Sequence, residues 1–310
     1  MPGYSREIVE KVGRISDVLW ELANDPLLSA VLSLYGGTAL NLLHISPPPR
    51  LSEDLDFNYR HKGAEDWGDV RDEVDASIKV ILDDLGYVRD DIRIQPRYNL
   101  GRFQVHYRTS EGLKDSFKIE IGYMRRLPSS RSDTRLPFEH PIDGRKAFVL
   151  TPVPEELYAN KWCTMVSRSG KLGYPRDLYD VASISKKDID RSLFIDLVML
   201  EALLCELDLE DVSLGSLDAS MGSRLNAMLD GRQLNTEQVT SVARGFTVRV
   251  IDEVSQRGWT GFRKEFIEDG TIRLDLLENP GDINPDIEDH PLLRWIREKR
   301  DTGKLRRGKQ

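Results

Sequence analysis

Apolar residues recur at helical intervals near the start of the chain. Ile8, Val9, Val12, Ile15, Val18, Leu19 and Leu22 share one side of a helix expected over 5–24. The apolar run 27–35 reads as a buried strand feeding into Gly36-Gly37. Thr38 is placed to cap a helix through Leu43, which Pro47, Pro48 and Pro49 must end. A second strand is expected over 51–59. The spacing of Val70, Val74, Ile78, Ile81, Leu82 and Leu85, closed by Gly86, predicts an amphipathic helix over 66–85. Strands follow at 92–98, 102–109 and 116–123, the last alternating Phe117, Ile119 and Ile121 with Lys118, Glu120 and Gly122.

Beyond Leu150 the period becomes helical, with helices expected over 155–168, 176–182, 193–207, 238–254 and 291–300. The expected fold is therefore α+β, a mixed sheet with helices followed by a mainly helical part. Thr151-Pro152-Val153-Pro154 is a stiff connection. It divides the chain into a core domain, 1–150, and a helical domain, 151–310, expected to complete the site.

Composition narrows the function classes. A formal net charge of −8 argues against a general nucleic-acid binder. The residues 294–310 run the other way, with eight Lys/Arg against two acids, a local +6, so the remainder carries −14. Cys163 and Cys205 lie in apolar patterns outside any CxxC, which suggests buried free thiols in a reducing compartment. No run of about 18 apolar residues occurs, and the first residues lack a signal-peptide core, so a cytoplasmic protein without a membrane segment is expected.

The chemistry concentrates between Gly36 and Phe57. On a strand, Asp54 and Asp56 point one way and Leu55 and Phe57 the other. Two carboxylates so close call for a neutralising partner, and a hard divalent cation such as magnesium is the direct one. An ordinary reading is a solvated edge strand continued by Asn58. Against it stand the upstream Gly36-Gly37 turn, where backbone can approach a phosphate, and Glu120, a third carboxylate turned from the core. Three carboxylates on one side of a sheet form a cage suited to two-metal nucleotidyl transfer. Neither GxGxxG nor GxxxxGK is present, so dinucleotide-binding and P-loop readings gain nothing.

Taken alone, Lys161 would extend its ammonium to water, and Arg176 with Asp180, four residues on, would form a surface pair. Arg89, Arg93, Arg97, Arg102 and Arg108 flank the expected strands as a solvated face. With an RNA acceptor they would meet phosphates, and Tyr98 or Tyr107 could stack on a base.

The strings GGTALNLLHISPPPRLSEDLDF, KIEIGY and EELYANKWCTMVSRSGKLGYPRDLYDV together resemble the AbiEii/AbiGii-type nucleotidyltransferase toxins, a branch of the polymerase β-like nucleotidyltransferase superfamily. The resemblance covers roughly residues 30–185. It implies that the glycine turn holds the triphosphate, that Asp54 and Asp56 bind magnesium, and that Lys161 and Asp177 are required for activity. Glu120 is the local candidate for the third carboxylate. Gly36, Gly37, Thr38, Arg50, Ser52 and Asp180 form the expected nucleotide-binding set. Sixteen residues separate Gly37 from Asp54.

The resemblance further implies two magnesium ions, an NTP substrate, an RNA acceptor at the transfer RNA 3′ end, growth inhibition and a cognate antitoxin. The same fold could instead modify a protein or a small molecule such as an antibiotic, or bind nucleotide or RNA without catalysis.

Overall fold

The structure is a computed structural model, and it describes residues 3–61, 67–96, 99–168, 175–212, 225–231 and 234–302. Two compact units emerge. The first comprises Met1–Arg126, Asp133–Pro152 and Ser223–Leu234; the second comprises Leu127–Ser132, Val153–Gly222 and Asn235–Gln310.

The first unit opens with α1 (Arg6–Asn24), whose Ser5 cap accepts from the Ile8 N–H. Its buried side carries the expected residues except Val9, which is half-buried. The strand expected over 27–35 is shorter: Leu28–Val31 forms a helical turn (α2) and only Leu32–Tyr35 is strand (β1). Asp25 explains the difference, since its side chain accepts from the Leu28 N–H at 2.8 Å and starts a turn. Gly36–Ala39 (α3) then continues into a wider π-type turn, Leu40–His44.

After β2 (Asp54–Tyr59) comes α4 (Trp67–Asp84), followed by β3 (Ile92–Pro96), β4 (Leu100–Arg108) and β5 (Lys114–Gly122). The five strands make one sheet in the order β1-β2-β5-β4-β3, with β2 and β5 parallel and the other neighbours antiparallel. One sheet face is apolar: Leu55, Phe57, Phe103, Val105, Ile119 and Ile121 are all buried. On that side α1 meets β2, β5 and α4, and Asp75 of α4 accepts from the Tyr123 hydroxyl at 2.8 Å. A second sheet, unanticipated from sequence, pairs β6 (Thr134–Glu139) with β7 (Lys146–Thr151).

The second unit is helical among its described residues: α5 (Pro154–Ser167), α6 (Pro175–Ile184), α7 (Arg191–Leu204), α8 (Thr236–Gln256), α9 (Trp259–Asp269) and α10 (Pro291–Asp301). From Phe194 to Leu204, α7 is buried all round, which makes it the central helix. Its Asp196 is closed by Arg257 at 2.6 Å and by the Asn279 N–H at 2.8 Å. Helix α9 had no clear sequence signal; left-handed Gly258 and Gly270 bound it. Cys163 is buried as expected, but Cys205 is exposed because it sits just past the end of α7. No described helix is long and apolar enough to cross a membrane.

Candidate active site

Strand β2 is interior, flanked by β1 and β5, so the edge-strand reading of the aspartate pair falls. Alternation holds: Leu55 and Phe57 are buried on one side, while Asp54 and Asp56 are half-buried on the other. The parallel register sets Asp54 opposite Lys118 and Asp56 opposite Glu120. With strands about 4.8 Å apart, Asp56 and Glu120 are side-by-side neighbours on one face. Glu120 in turn accepts from Arg102 Nε at 2.6 Å.

The glycine turn packs onto this face. Gly36 has φ +72°, a left-handed conformation, and a Cβ there would collide with the Asp56 carboxylate. A Cβ on Gly37 would lie 2.9 Å from both Arg50 Nη2 and Ser52 Oγ. Position 36 therefore requires glycine, Gly37 is tightly enclosed, and the turn, Asp56, Arg50 and Ser52 form one close-packed group.

Thr38 does not cap the helix. It is buried inside the turn, and its hydroxyl donates to the Asp54 carbonyl, fastening α3 to β2. Asn41 and His44 support the turn and were missed from sequence. Asn41 Nδ2 donates to the Gly37 carbonyl at 2.6 Å, and Oδ1 accepts from the Arg50 N–H at 3.2 Å. The signal available was a lone amide in an apolar run, four residues after Gly37. Thr151 donates to the Leu34 carbonyl at 2.9 Å, so it accepts from His44 Nε2 at 3.0 Å. Burial pushes the His44 pKa down from 6.5 to about 4, keeping the ring neutral.

In the second unit, Lys161 does not reach water. Its side chain is 9% exposed, and Nζ donates at 2.9 Å to Asp180, which is 0% exposed. Asp180 is thus half of a buried ion pair rather than a surface one. Asp177, near the start of α6, accepts from Arg168 Nη1 at 3.0 Å. Tyr107 is buried, donates to Asp115 at 2.7 Å and lies under Arg14, so it is not available for stacking. Arg97, Tyr98 and the tail beyond Thr302 lie outside the described residues.

Three carboxylates on adjacent strands supply hard oxygen donors, the ligand type that magnesium takes. A different cluster, Asp17, His140 and Asp143, brings its ligand atoms within 4.8 Å of one another. Arg145 already donates to both of its carboxylates, and His140 Nδ1 accepts from the Ile142 and Asp143 N–H groups at 3.3 Å each. That cluster is an ion-pair clamp between α1 and the turn after β6.

The family model of the nucleotidyl transferase AbiEii toxin, type IV toxin–antitoxin system, matches residues 17–289. Among solved structures, MenT4, a nucleotidyltransferase toxin from Mycobacterium tuberculosis H37Rv, is 16% identical. That match covers 97% of this chain and 96% of MenT4, with a TM-score of 0.52. An antigenic nucleotidyltransferase-like protein from Paracoccidioides brasiliensis is 17% identical, over 74% of this chain and 97% of its own, with a TM-score of 0.38. No curated protein matches. The likeness to MenT4 speaks for the fold, a mixed sheet followed by a helical part, as the sequence led one to expect. Matched over most of its length, the chain is a nucleotidyltransferase and belongs to the AbiEii toxin family of type IV toxin–antitoxin systems.

Proposed function

We propose that the protein transfers a nucleoside monophosphate from an NTP to an RNA acceptor, the 3′ end of a transfer RNA. In this reading it acts in the cytoplasm, blocks translation and growth, and is opposed by a cognate antitoxin. The observation carrying the chemistry is the row of Asp56 beside Glu120, with Asp54 next along β2 and the glycine turn packed against Asp56. Asp54, Asp56 and Glu120 would hold two magnesium ions. When bound, magnesium supplies Lewis-acid charge to the reacting oxygens.

The chain's own residues do the positioning. The N–H groups at the start of α3 cradle phosphate, aided by the helix dipole, and Gly36 lets the turn pack against Asp56. Arg50, held by Asn41 behind Gly37, and Ser52 complete the phosphate side. Thr38 keeps the turn at a set distance from β2. Lys161, whose ammonium Asp180 holds, is a required residue on the family resemblance. Asp177, with Arg168, is a further required residue on the family resemblance. The transfer RNA end is supported by that resemblance.

The test is incubation of the purified protein with each α-labelled triphosphate, supplied with total RNA or with total protein, followed by sequencing of labelled RNA ends. Label should enter RNA 3′ ends and disappear in Asp56→Ala. Label on protein or a small molecule, or undiminished labelling by Asp56→Ala, would sink the assignment.

A further inference from the structure

Two rows of register partners cross the polar face of the five-stranded sheet. One runs Asp56, Glu120, Arg102, Gln95; the other runs Asp54, Lys118, Gln104, Arg93. Charge changes sign along both, from Asp56 and Glu120 to Arg102 in the first and from Asp54 to Lys118 and then Arg93 in the second. The glycine turn meets Asp56 from the β1 side of the sheet, and Arg102 lies beyond Glu120 on the opposite side. The carboxylates therefore stand between a phosphate cradle and a basic flank.

Arg102 joins the acidic and basic ends. Its Nε holds Glu120 at 2.6 Å, with the two side chains 33% and 26% exposed. Its Nη1 has only a 3.5 Å contact to Gln95, and no described residue accepts from Nη2. The two outer nitrogens form a planar fork, the geometry that takes two oxygens of one phosphate. Arg93 is exposed and has no carboxylate partner among the described residues. Three strand steps place it roughly 14 Å from Asp54, within reach of a short terminal segment of a strand. Gln95 and Gln104 add amides rather than apolar groups to this flank, which favours a phosphodiester strand over an apolar ligand.

Resting on the reading of RNA as acceptor, we infer that the acceptor strand enters over β4 and β3. Arg102 takes the phosphodiester next to the reacting hydroxyl on its outer edge while its Nε keeps Glu120 beside Asp56, and Arg93 continues the track. Arg102 thereby couples arrival of the acceptor to the orientation of Glu120.

The test uses the full chain and compares Arg93→Ala, Arg102→Ala and Arg102→Lys with wild type. The readouts are anisotropy of labelled total transfer RNA across a salt series, and separate KM values for RNA and NTP. Arg93→Ala, an exposed change that spares the core, should raise RNA Kd and KM about tenfold and reduce the salt slope by about one. Arg102→Ala should do the same and lower kcat as well. Arg102→Lys should restore the salt slope but not the RNA KM, because an ammonium lacks the fork. The NTP KM should stay at the wild-type value throughout. If wild type labels RNA and both alanine variants keep its RNA KM and salt slope, this inference alone fails. If wild type labels no RNA, the acceptor reading fails and takes this inference with it.

Discussion

The two units house their functional charges in opposite ways. In the first, Asp54, Asp56 and Glu120 stand together on a half-exposed sheet face, with Arg102 drawing on Glu120 from the far side. In the second, Lys161 holds Asp180 at 2.9 Å, buried, and Arg168 holds Asp177 at 3.0 Å. Like charges gathered on a face raise each other's cost until a ligand of opposite sign arrives. A buried opposite pair is neutral as it stands, and its cost appears only when one partner is removed. The same residue types thus stand on a half-exposed sheet face in one unit and in closed ion pairs in the other.

The largest effect expected from this contrast is on activity. Asp56→Asn should cut nucleotide incorporation by roughly a thousandfold or more, since it removes a charge the reaction depends on. Its stability, measured by urea unfolding, should move by less than about 1 kcal/mol, because a like charge next to Glu120 has gone. A loss of several kcal/mol would mean that Asp56 is a structural residue and would erase the distinction between the two regions.

Next comes the buried pair. Lys161→Met leaves the Asp180 charge in the interior without its partner and should destabilise the fold by about 3–5 kcal/mol. Adding Asp180→Leu should recover most of that loss while activity stays low. A single variant as stable as wild type would show that Asp180 does not depend on Lys161.

The smallest effect sharpens the contrast by pH. His44, at the end of the π-type turn and bonded to Thr151, has a pKa pushed by burial to about 4, against 6.5 ordinarily. Between these values the unfolded chain binds a proton that the folded chain refuses. Stability is therefore unaffected above pH 6.5 and falls as pH drops toward 4, by about 3 kcal/mol in all. His44→Gln should flatten that part of the curve relative to wild type. An unchanged slope would remove His44 from the support of the turn.

How far the site was legible depends on how local each signal is. The helix at 6–24 and the strands around Asp54 and Glu120 were readable because their apolar periods lie within one element. Asn41 and His44 were not, since an amide and an imidazole in an apolar run show their use only through Gly37, Arg50 and Thr151. The β6–β7 hairpin escaped because Pro137 and Phe148, register partners on its outward side, break the polar half of its alternation; Phe148 is exposed. The surface reading of Lys161 fails for a related reason. A helical lysine ordinarily reaches water, and only Asp180 on another helix makes its burial tolerable.

Two sequence features needed no tertiary information. Period two puts Asp54 and Asp56 on one side of a strand and Leu55 and Phe57 on the other. The glycine pair announces a turn that other residues resist. Strand order was another matter. That β5 inserts between β2 and β4, in a register that brings Glu120 to Asp56 and Arg102 to Glu120, is a result of pairing between distant segments. A one-residue slip would have turned every one of those side chains to the other face, and it is burial of the apolar face against α1 that excludes the slip. Side-chain direction is a property of the local backbone, whereas a side chain's neighbours are set by which strand pairing buries the core.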